Sequence, residues 1–245
     1  MPSSELIALV PAAGGSQRFG GVKPKQYMPV AGKTVIESTL WRLQQGLKPD
    51  RIVVVLAPDD NTFSSLTALP PAVETLRCGG VTRAESVRNG LSALANRCDD
   101  YDWIAVHDAA RPCVPMACLQ SLAAVARQAL AEESGALLAM PLTDTLKEST
   151  FDGVVTRACA TPDRARFWNA QTPQMFRYGI LRDALAQEGA LSCTDESQAV
   201  ERYCKRTGGA LPLLLRGSPQ NLKLTYAEDL LLVEAILAFQ KEQRP

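Results

Sequence analysis

Short apolar runs alternate with segments of helical period along this chain, and that alternation restricts the fold more than any other feature. Leu6–Val10, Ile52–Ala57, Trp103–Val106 and Ala136–Met140 are nearly uninterrupted apolar stretches. A strand reads this way when helices cover both faces of its sheet, because both rows of side chains are then buried. Val73–Arg77 and Leu211–Leu215 predict further strands with a weaker pattern. Thr82-Arg83-Ala84-Glu85 has the spacing of a capping box, in which hydroxyl and carboxylate each satisfy an orphan amide. Val87, Leu91, Leu94 and Cys98 then share one helical face. Thr225-Tyr226-Ala227-Glu228 repeats the device ahead of Leu230, Leu231, Val233, Ile236 and Leu237. Pro115 suits a first helical position before Leu119–Ala131. The expected fold is α/β, with a mostly parallel sheet and helices on both faces.

The pattern fails between Leu142 and Phe176, where scattered charges, Pro162 and Pro173 interrupt any period. A structureless loop of that length is unusual inside a compact domain. No independent core is visible in it, so the expectation is one domain over 1–245 with an arm or subdomain at 142–176.

Composition excludes several functions. Twenty-six Lys plus Arg balance twenty-six Asp plus Glu, which leaves no basic footprint for nucleic acid or an anionic membrane. The single histidine, His107, excludes a His-rich metal site and argues against a Ser-His-Asp triad. Seven scattered cysteines form neither a disulfide framework nor a zinc spacing, and free thiols suit a reducing, cytoplasmic compartment. Leu6–Gly15 is the longest run without a polar side chain, too short to span a bilayer. Met1–Glu5 lacks the basic start of a signal peptide.

Four places could carry chemistry. After the first apolar run comes Pro11-Ala12-Ala13-Gly14-Gly15-Ser16-Gln17-Arg18-Phe19-Gly20-Gly21-Val22-Lys23-Pro24-Lys25-Gln26-Tyr27. Small residues at the carboxyl end of a strand let backbone amides approach an anion, and ligands of open α/β sheets sit at that edge. The loop is not a dinucleotide G-x-G-x-x-G, because Ser16 takes the second glycine's place. Gly32-Lys33-Thr34 is not a Walker loop, because Tyr27 stands where its first glycine belongs. What remains is a glycine loop with two cations, Arg18 and Lys25, suited to phosphate oxygens. A solvated surface loop would read the same.

The second place is Gly79-Gly80-Val81-Thr82-Arg83-Ala84-Glu85-Ser86, where paired glycines precede the capped helix and Arg83 and Ser86 share its first turn. Simple helix capping is the alternative there. The third is Val106-His107-Asp108-Ala109-Ala110-Arg111-Pro112. A carboxylate such as Asp108, at a strand's carboxyl end, is placed to hold magnesium beside a polyphosphate. His107 reads as a structural hydrogen-bonder. The fourth is Asn221-Leu222-Lys223, where a lysine just before a helix start suggests an anion shared with that helix, or a solvated surface lysine.

Taken in order, these motifs resemble the 2-C-methyl-D-erythritol 4-phosphate cytidylyltransferases of non-mevalonate isoprenoid synthesis. Further matches are Asp144-Thr145-Leu146-Lys147, Asp163-Arg164, Trp168 with Gln171-Thr172-Pro173-Gln174, and Thr194-Asp195-Glu196. Each motif is weak alone, but the ordered set covers nearly the whole chain. The resemblance implies a Rossmann-like nucleotidyltransferase, magnesium dependence and a homodimer built through the irregular arm. It implies transfer of CMP from CTP to the acceptor, a sugar-alcohol phosphate, with release of pyrophosphate. Arg18, Lys25, Arg164 and Lys223 then correspond to catalytic cations, with Arg164 acting from the partner subunit. Ala12, Ala13, Gly14, Gly80 and Ser86 match the cytidine site, with Arg83 beside them. Asp108, Arg111, Thr145 and Thr172 match the acceptor pocket, with Asp108 also near the metal.

That chemistry suits a chain with one histidine. A phosphate monoester is largely dianionic at neutral pH and needs no general base. The obstacle is repulsion between two polyanions, so positioning, fixed cations and a metal must carry catalysis. A cytidylyltransferase for another polyol phosphate, such as ribitol 5-phosphate, would use the same loops. A nucleotide-binding module without catalysis is the alternative of another class, although four cations are more than a binder needs.

Overall fold

The computed structural model describes residues 4–14, 19, 23–71, 73–128 and 133–243. The chain begins with β1 (Leu6–Pro11), the short hairpin β2 (Pro29–Val30) and β3 (Lys33–Thr34), α1 (Val35–Gly46), and β4 (Arg51–Val55). Next come β5 (Val73–Leu76), α2 (Arg83–Ala93), β6 (Trp103–Val106), α3 (Met116–Arg127) and β7 (Gly135–Pro141). An exposed hairpin of β8 (Glu148–Phe151) and β9 (Thr156–Ala160) precedes β10 (Trp168–Arg177) and α4 (Tyr178–Leu185). The chain closes with α5 (Glu196–Thr207), β11 (Leu213–Arg216) and α6 (Asp229–Glu242).

Seven strands form one sheet in the order β11-β7-β10-β6-β1-β4-β5. All run parallel except β10, which is antiparallel to both its neighbours. The alternation of β1 explains the two-faced cover. Leu6, Ala8 and Val10 pack with Ile36, Leu40 and Leu43 of α1 and Leu119 and Leu122 of α3. Ile7 and Leu9 point the other way, among Val87 and Leu91 of α2, Leu181 of α4 and Val200 of α5. Each buried Leu or Ile stabilises by roughly 1.5–3 kcal/mol, so neither row of this strand can be polar. A third cluster of Val30, Val35, Ala110, Cys113, Leu224 and Val233 pins α6, and the segment before it, against the loop after β6.

The chain leaves β1 toward β4 and β5 on one side, then crosses to β6 on the other. That reversal is a topological switch point, and it opens a crevice at the carboxyl ends of β1 and β6. The antiparallel β10 enters from the same edge, and past its midpoint Gln174 pairs with Val106.

All six expected strands are present, and the fold class is as expected. The irregular stretch divides in two. Only part of it is an excursion, the hairpin β8–β9, every residue of which is exposed. Trp168–Arg177 is instead a strand of the main sheet, against the reading of an arm through Phe176. Its apolar period is hidden because the first three residues are exposed, the last six are buried, and the register breaks between Ala170 and Gln174. A second correction concerns α6, which starts at Asp229 and not at a Thr225–Glu228 capping box. The Asp229 carboxylate accepts from the amides of Thr225 and Tyr226 at 2.7 and 2.8 Å, displacing the box. Pro115 caps α3 one residue before its first turn, and the helix opens at Met116. Gly32-Lys33-Thr34 is part of a hairpin: Ala31 and Gly32 make its turn, with φ of 48° and 82° as a tight two-residue turn demands, and Lys33 and Thr34 are β3. Thr34 then caps α1 with Glu37.

No helix among the described residues is long and apolar enough to cross a membrane. All seven cysteines are free.

Candidate active site

The crevice at the switch point encloses about 490 Å³. Ala12, Ala13 and Gly14 form one wall, and Gly80, Thr82, Arg83 and Ser86 form another. The two loops touch at Gly79, where a Cβ would collide with that of Ala13, while a Cβ on Gly80 would collide with that of Glu85 and open the turn into α2. Ser86 is spent on the loop itself. Its hydroxyl accepts from the Gly80 amide at 3.1 Å and donates to the Thr82 carbonyl at 3.0 Å. The capping box of α2 forms as expected, on Thr82 and Glu85.

Lys25 lies in a 3-10 turn whose next two residues, Gln26 and Tyr27, are buried and fix its direction. Gln26 donates to the Ala12 carbonyl at 2.9 Å, tying the turn to the first loop. The Lys25 ammonium lines the crevice and donates to the Leu224 carbonyl at 2.7 Å.

Asp108 is the centre of the charge arrangement. Its Oδ1 accepts from Arg83 Nε at 2.7 Å, and its Oδ2 meets Lys223 Nζ at 2.9 Å and Arg111 Nε at 3.3 Å. Burial alone would raise its pKa, but the three cations outweigh that and hold it well below the usual carboxylate range. Arg83 also reaches Glu196 Oε1 at 2.5 Å. Burial opposes its charge, and the Glu196 and Asp108 carboxylates reverse the balance, raising its pKa. Among the described residues the cluster sets four cations (Lys25, Arg83, Arg111 and Lys223) against two carboxylates. A surplus of fixed positive charge in a partly enclosed crevice attracts a polyanion.

Lys223, expected to share an anion with a helix start or to be solvated, pairs with Asp108. The Asp229 carboxylate takes the amides at that helix start. Thr172 and Arg111 support Asp108 without lining the crevice. Thr172 Oγ1 accepts from the Asp108 amide at 3.1 Å and meets His107 Nδ1 at 2.9 Å. His107 Nε2 contacts the Arg111 carbonyl at 3.2 Å, so Nε2 carries the proton and Nδ1 accepts from the threonine hydroxyl. This is the structural role expected of it.

Burial pushes the His107 pKa down to about 4. The unfolded chain binds a proton near pH ~6.5 that the folded chain refuses until about pH 4, so stability falls as pH drops through that window. Urea denaturation at pH 7.5 and 5.0 is expected to differ by about 2 kcal/mol from this group. A His107→Gln variant lacks that limb whatever its own stability. An equal pH slope in both proteins would refute the assignment.

The structure brings most of the expected residues together. Ala12, Ala13, Gly14, Lys25, Gly80, Arg83, Ser86, Asp108 and Lys223 converge on one crevice. Arg164 and Thr145 do not line it. Both are exposed near the base of the hairpin, and Arg164 donates to the Thr143 carbonyl. Arg18 and Ser16 lie outside the described residues. Sequence reasoning assigned no role to Gln26 or Glu196, which hold functional groups from behind; burial between elements distant in sequence leaves no local pattern to detect.

Small-residue loops and a surplus of cations at the switch point of a mostly parallel sheet define a nucleotide-binding α/β protein. Sequence comparison narrows that class. The profile of 2-C-methyl-D-erythritol 4-phosphate cytidylyltransferase matches residues 6–239. The protein of that name from Chromobacterium violaceum is 45% identical, over 97% of this chain and 100% of its own. That from Dechloromonas aromatica is 46% identical, over 96% and 98%. A crystal structure of 4-diphosphocytidyl-2C-methyl-D-erythritol synthase superposes with a TM-score of 0.78 at 38% identity, covering 97% of this chain and 100% of that one. The cytidylyltransferase structure from Thermus thermophilus gives 0.69 at 30% identity, covering 97% and 100%. This chain belongs to the 2-C-methyl-D-erythritol 4-phosphate cytidylyltransferase family, as its motifs led us to expect.

Proposed function

We propose that the crevice joins the CMP unit of CTP to 2-C-methyl-D-erythritol 4-phosphate, forming 4-diphosphocytidyl-2-C-methyl-D-erythritol and pyrophosphate. The observation that carries this reading is the cation surplus around Asp108, set against two backbone loops at the switch point. An oxygen of the acceptor phosphate attacks the α-phosphorus. The bond to the β-phosphate bridging oxygen breaks, and pyrophosphate leaves with the electron pair. No proton need be removed from the acceptor, consistent with a histidine that is buried and spent on structure.

The loops at Ala12–Gly14 and Gly80–Ser86 hold the cytidine, leaving backbone groups to read the base. Lys25, with Arg18, meets the α-phosphate and the departing pyrophosphate. Lys223 and Arg111 lie on the acceptor side of Asp108, with Thr172 setting the height of that carboxylate. Magnesium fits the donor set in company with the nucleotide, since this cation is commonly held by one carboxylate plus phosphate oxygens. Among the crevice-lining residues described, Asp108 is the single carboxylate; it would offer one position through Oδ1, which Arg83 alone occupies, with phosphate oxygens supplying the rest. When bound, the ion supplies neutralisation of phosphate charge. Free thiols support a cytoplasmic setting. The deciding measurement is pyrophosphate release with each of the four nucleotide triphosphates and with both methylerythritol and ribitol phosphates. Turnover is expected with CTP and methylerythritol phosphate; no release with any pair, or preference for ribitol phosphate, would overturn the reading.

The hairpin supports a homodimer in which each arm completes the other site. Phe151 and Val154 are 66% and 86% exposed on it, and Arg164 and Thr145 sit by its base, away from their own crevice. Mixing Lys25→Ala with Arg164→Ala protein tests this. In random two-fold dimers half are hybrids, each with one intact site, so about a quarter of wild-type activity is expected to return. Hybrids that form but stay inactive would place Arg164 in the site of its own chain.

A further inference from the structure

Glu196 is 1% exposed at the first turn of α5, behind the crevice it does not line. Its place is set by β10. Gln174 donates to Asp195 Oδ2 at 2.8 Å and accepts from the Ser197 amide at 2.9 Å, so the start of α5 is locked to the sheet on both sides of Glu196. From there its Oε1 takes Arg83 Nη1. Arg83 then meets Asp108 through Nε alone, and Asp108 keeps Oδ2 for Lys223 and Arg111.

This arrangement is not the one that pairs charge most fully. Arg83 Nη2 and Glu196 Oε2 are both buried without a hydrogen-bond partner. A guanidinium facing a carboxylate ordinarily closes a two-pronged fork on both oxygens. Closing that fork on Asp108 would occupy the oxygen that Lys223 now holds. A buried carboxylate is also a poor way to gain stability, since a well-packed apolar side chain of similar volume serves as well or better. Glu196 thus has a cost and a geometric consequence, and the consequence lies at Lys223.

We infer that Glu196 is a positioning residue: by drawing Arg83 to one side it keeps that guanidinium on a single oxygen of Asp108 and reserves the other for Lys223. The inference deepens the proposed reaction and rests on Lys223 serving the acceptor. Removing the charge while keeping the shape, as in Glu196→Gln, frees Arg83 to close on both Asp108 oxygens and displace the lysine.

Two measurements decide it. In steady-state kinetics, Glu196→Gln is expected to raise KM for the acceptor phosphate about tenfold, and KM for CTP by clearly less. Adding it to Arg83→Ala is expected to cost nothing further, because the effect travels through Arg83. A crystal structure of Glu196→Gln is expected to show Arg83 forked on Asp108 and Lys223 turned away, a readout independent of turnover. Equal increases in both KM values, additive losses in the double variant, or an undisturbed Arg83–Asp108–Lys223 chain would each overturn the inference. Should Glu196→Gln not fold, Glu196→Asp keeps the charge but shortens the reach, and must move the acceptor KM in the same direction. Wild-type protein that turns over no acceptor would instead defeat the proposed reaction, leaving the structural readout to judge Glu196.

Discussion

Lys25→Ala is expected to lower kcat for pyrophosphate release about 10²–10³-fold while leaving KM for CTP within a few-fold. The reason is where the charge goes. In the ground state the triphosphate already carries its negative charge, and a lysine near it adds binding that is shared by several cations. As the bond to the β-phosphate breaks, charge moves onto the departing pyrophosphate, and a fixed ammonium gains most at that moment. Lys25 is fixed in this sense, since its turn is anchored by the buried Gln26 and Tyr27 and its ammonium rests on the Leu224 carbonyl. Loss of that hydrogen bond costs on the order of 1 kcal/mol of stability, too little to explain a hundredfold fall in rate. Single-turnover kinetics would separate the chemical step from product release. An unchanged kcat with only a raised KM would mean that Lys25 binds the nucleotide uniformly and does not serve the transition state.

Asp108→Asn is expected to cost about 3 kcal/mol of folding stability as well as most of the activity. The side chain keeps its shape but loses its charge, so Lys223 and Arg111 lose the carboxylate they meet and Arg83 keeps only Glu196. Arg83 and Lys223 are partly exposed, which moderates the repulsion, while Arg111 is not well solvated. Urea denaturation at pH 7.5 measures the loss. The acid response gives a second check. The folded pKa of Asp108 lies below its unfolded value, so its contribution is present above pH ~4 and disappears as pH falls below that. The variant should lack this lowest limb yet keep the His107 limb between pH ~6.5 and ~4. Stability unchanged at neutral pH would show that the cations relax into solvent and that Asp108 is not their common anchor.

The strands were legible where both faces are covered, because two buried rows leave an unbroken apolar run. Leu6–Pro11 and Trp103–Val106 are of that kind. β10 was not legible, since it starts exposed, ends buried and shifts register between Ala170 and Gln174. The hairpin β8–β9 carries no period either, for a simpler reason: neither of its faces is buried against its own chain. In the candidate site, loops of small residues next to strand ends could be recognised from order alone. The partners of their charged side chains could not. Lys223 read as the companion of a helix start or as a solvated lysine, and the structure gives it to Asp108.

Alternation of solvent preference along the chain decided the α/β class, the two-sided cover and the edge at which ligands gather, because these follow from consecutive residues. Tertiary structure alone decided which charges share a carboxylate. Arg83 meets Asp108 across 25 positions and Glu196 across 113, separations bridged by sheet order and by the reversal of β10. Local sterics and burial propagate over a few residues, whereas an ion pair depends on distance in space, which no short window of sequence contains.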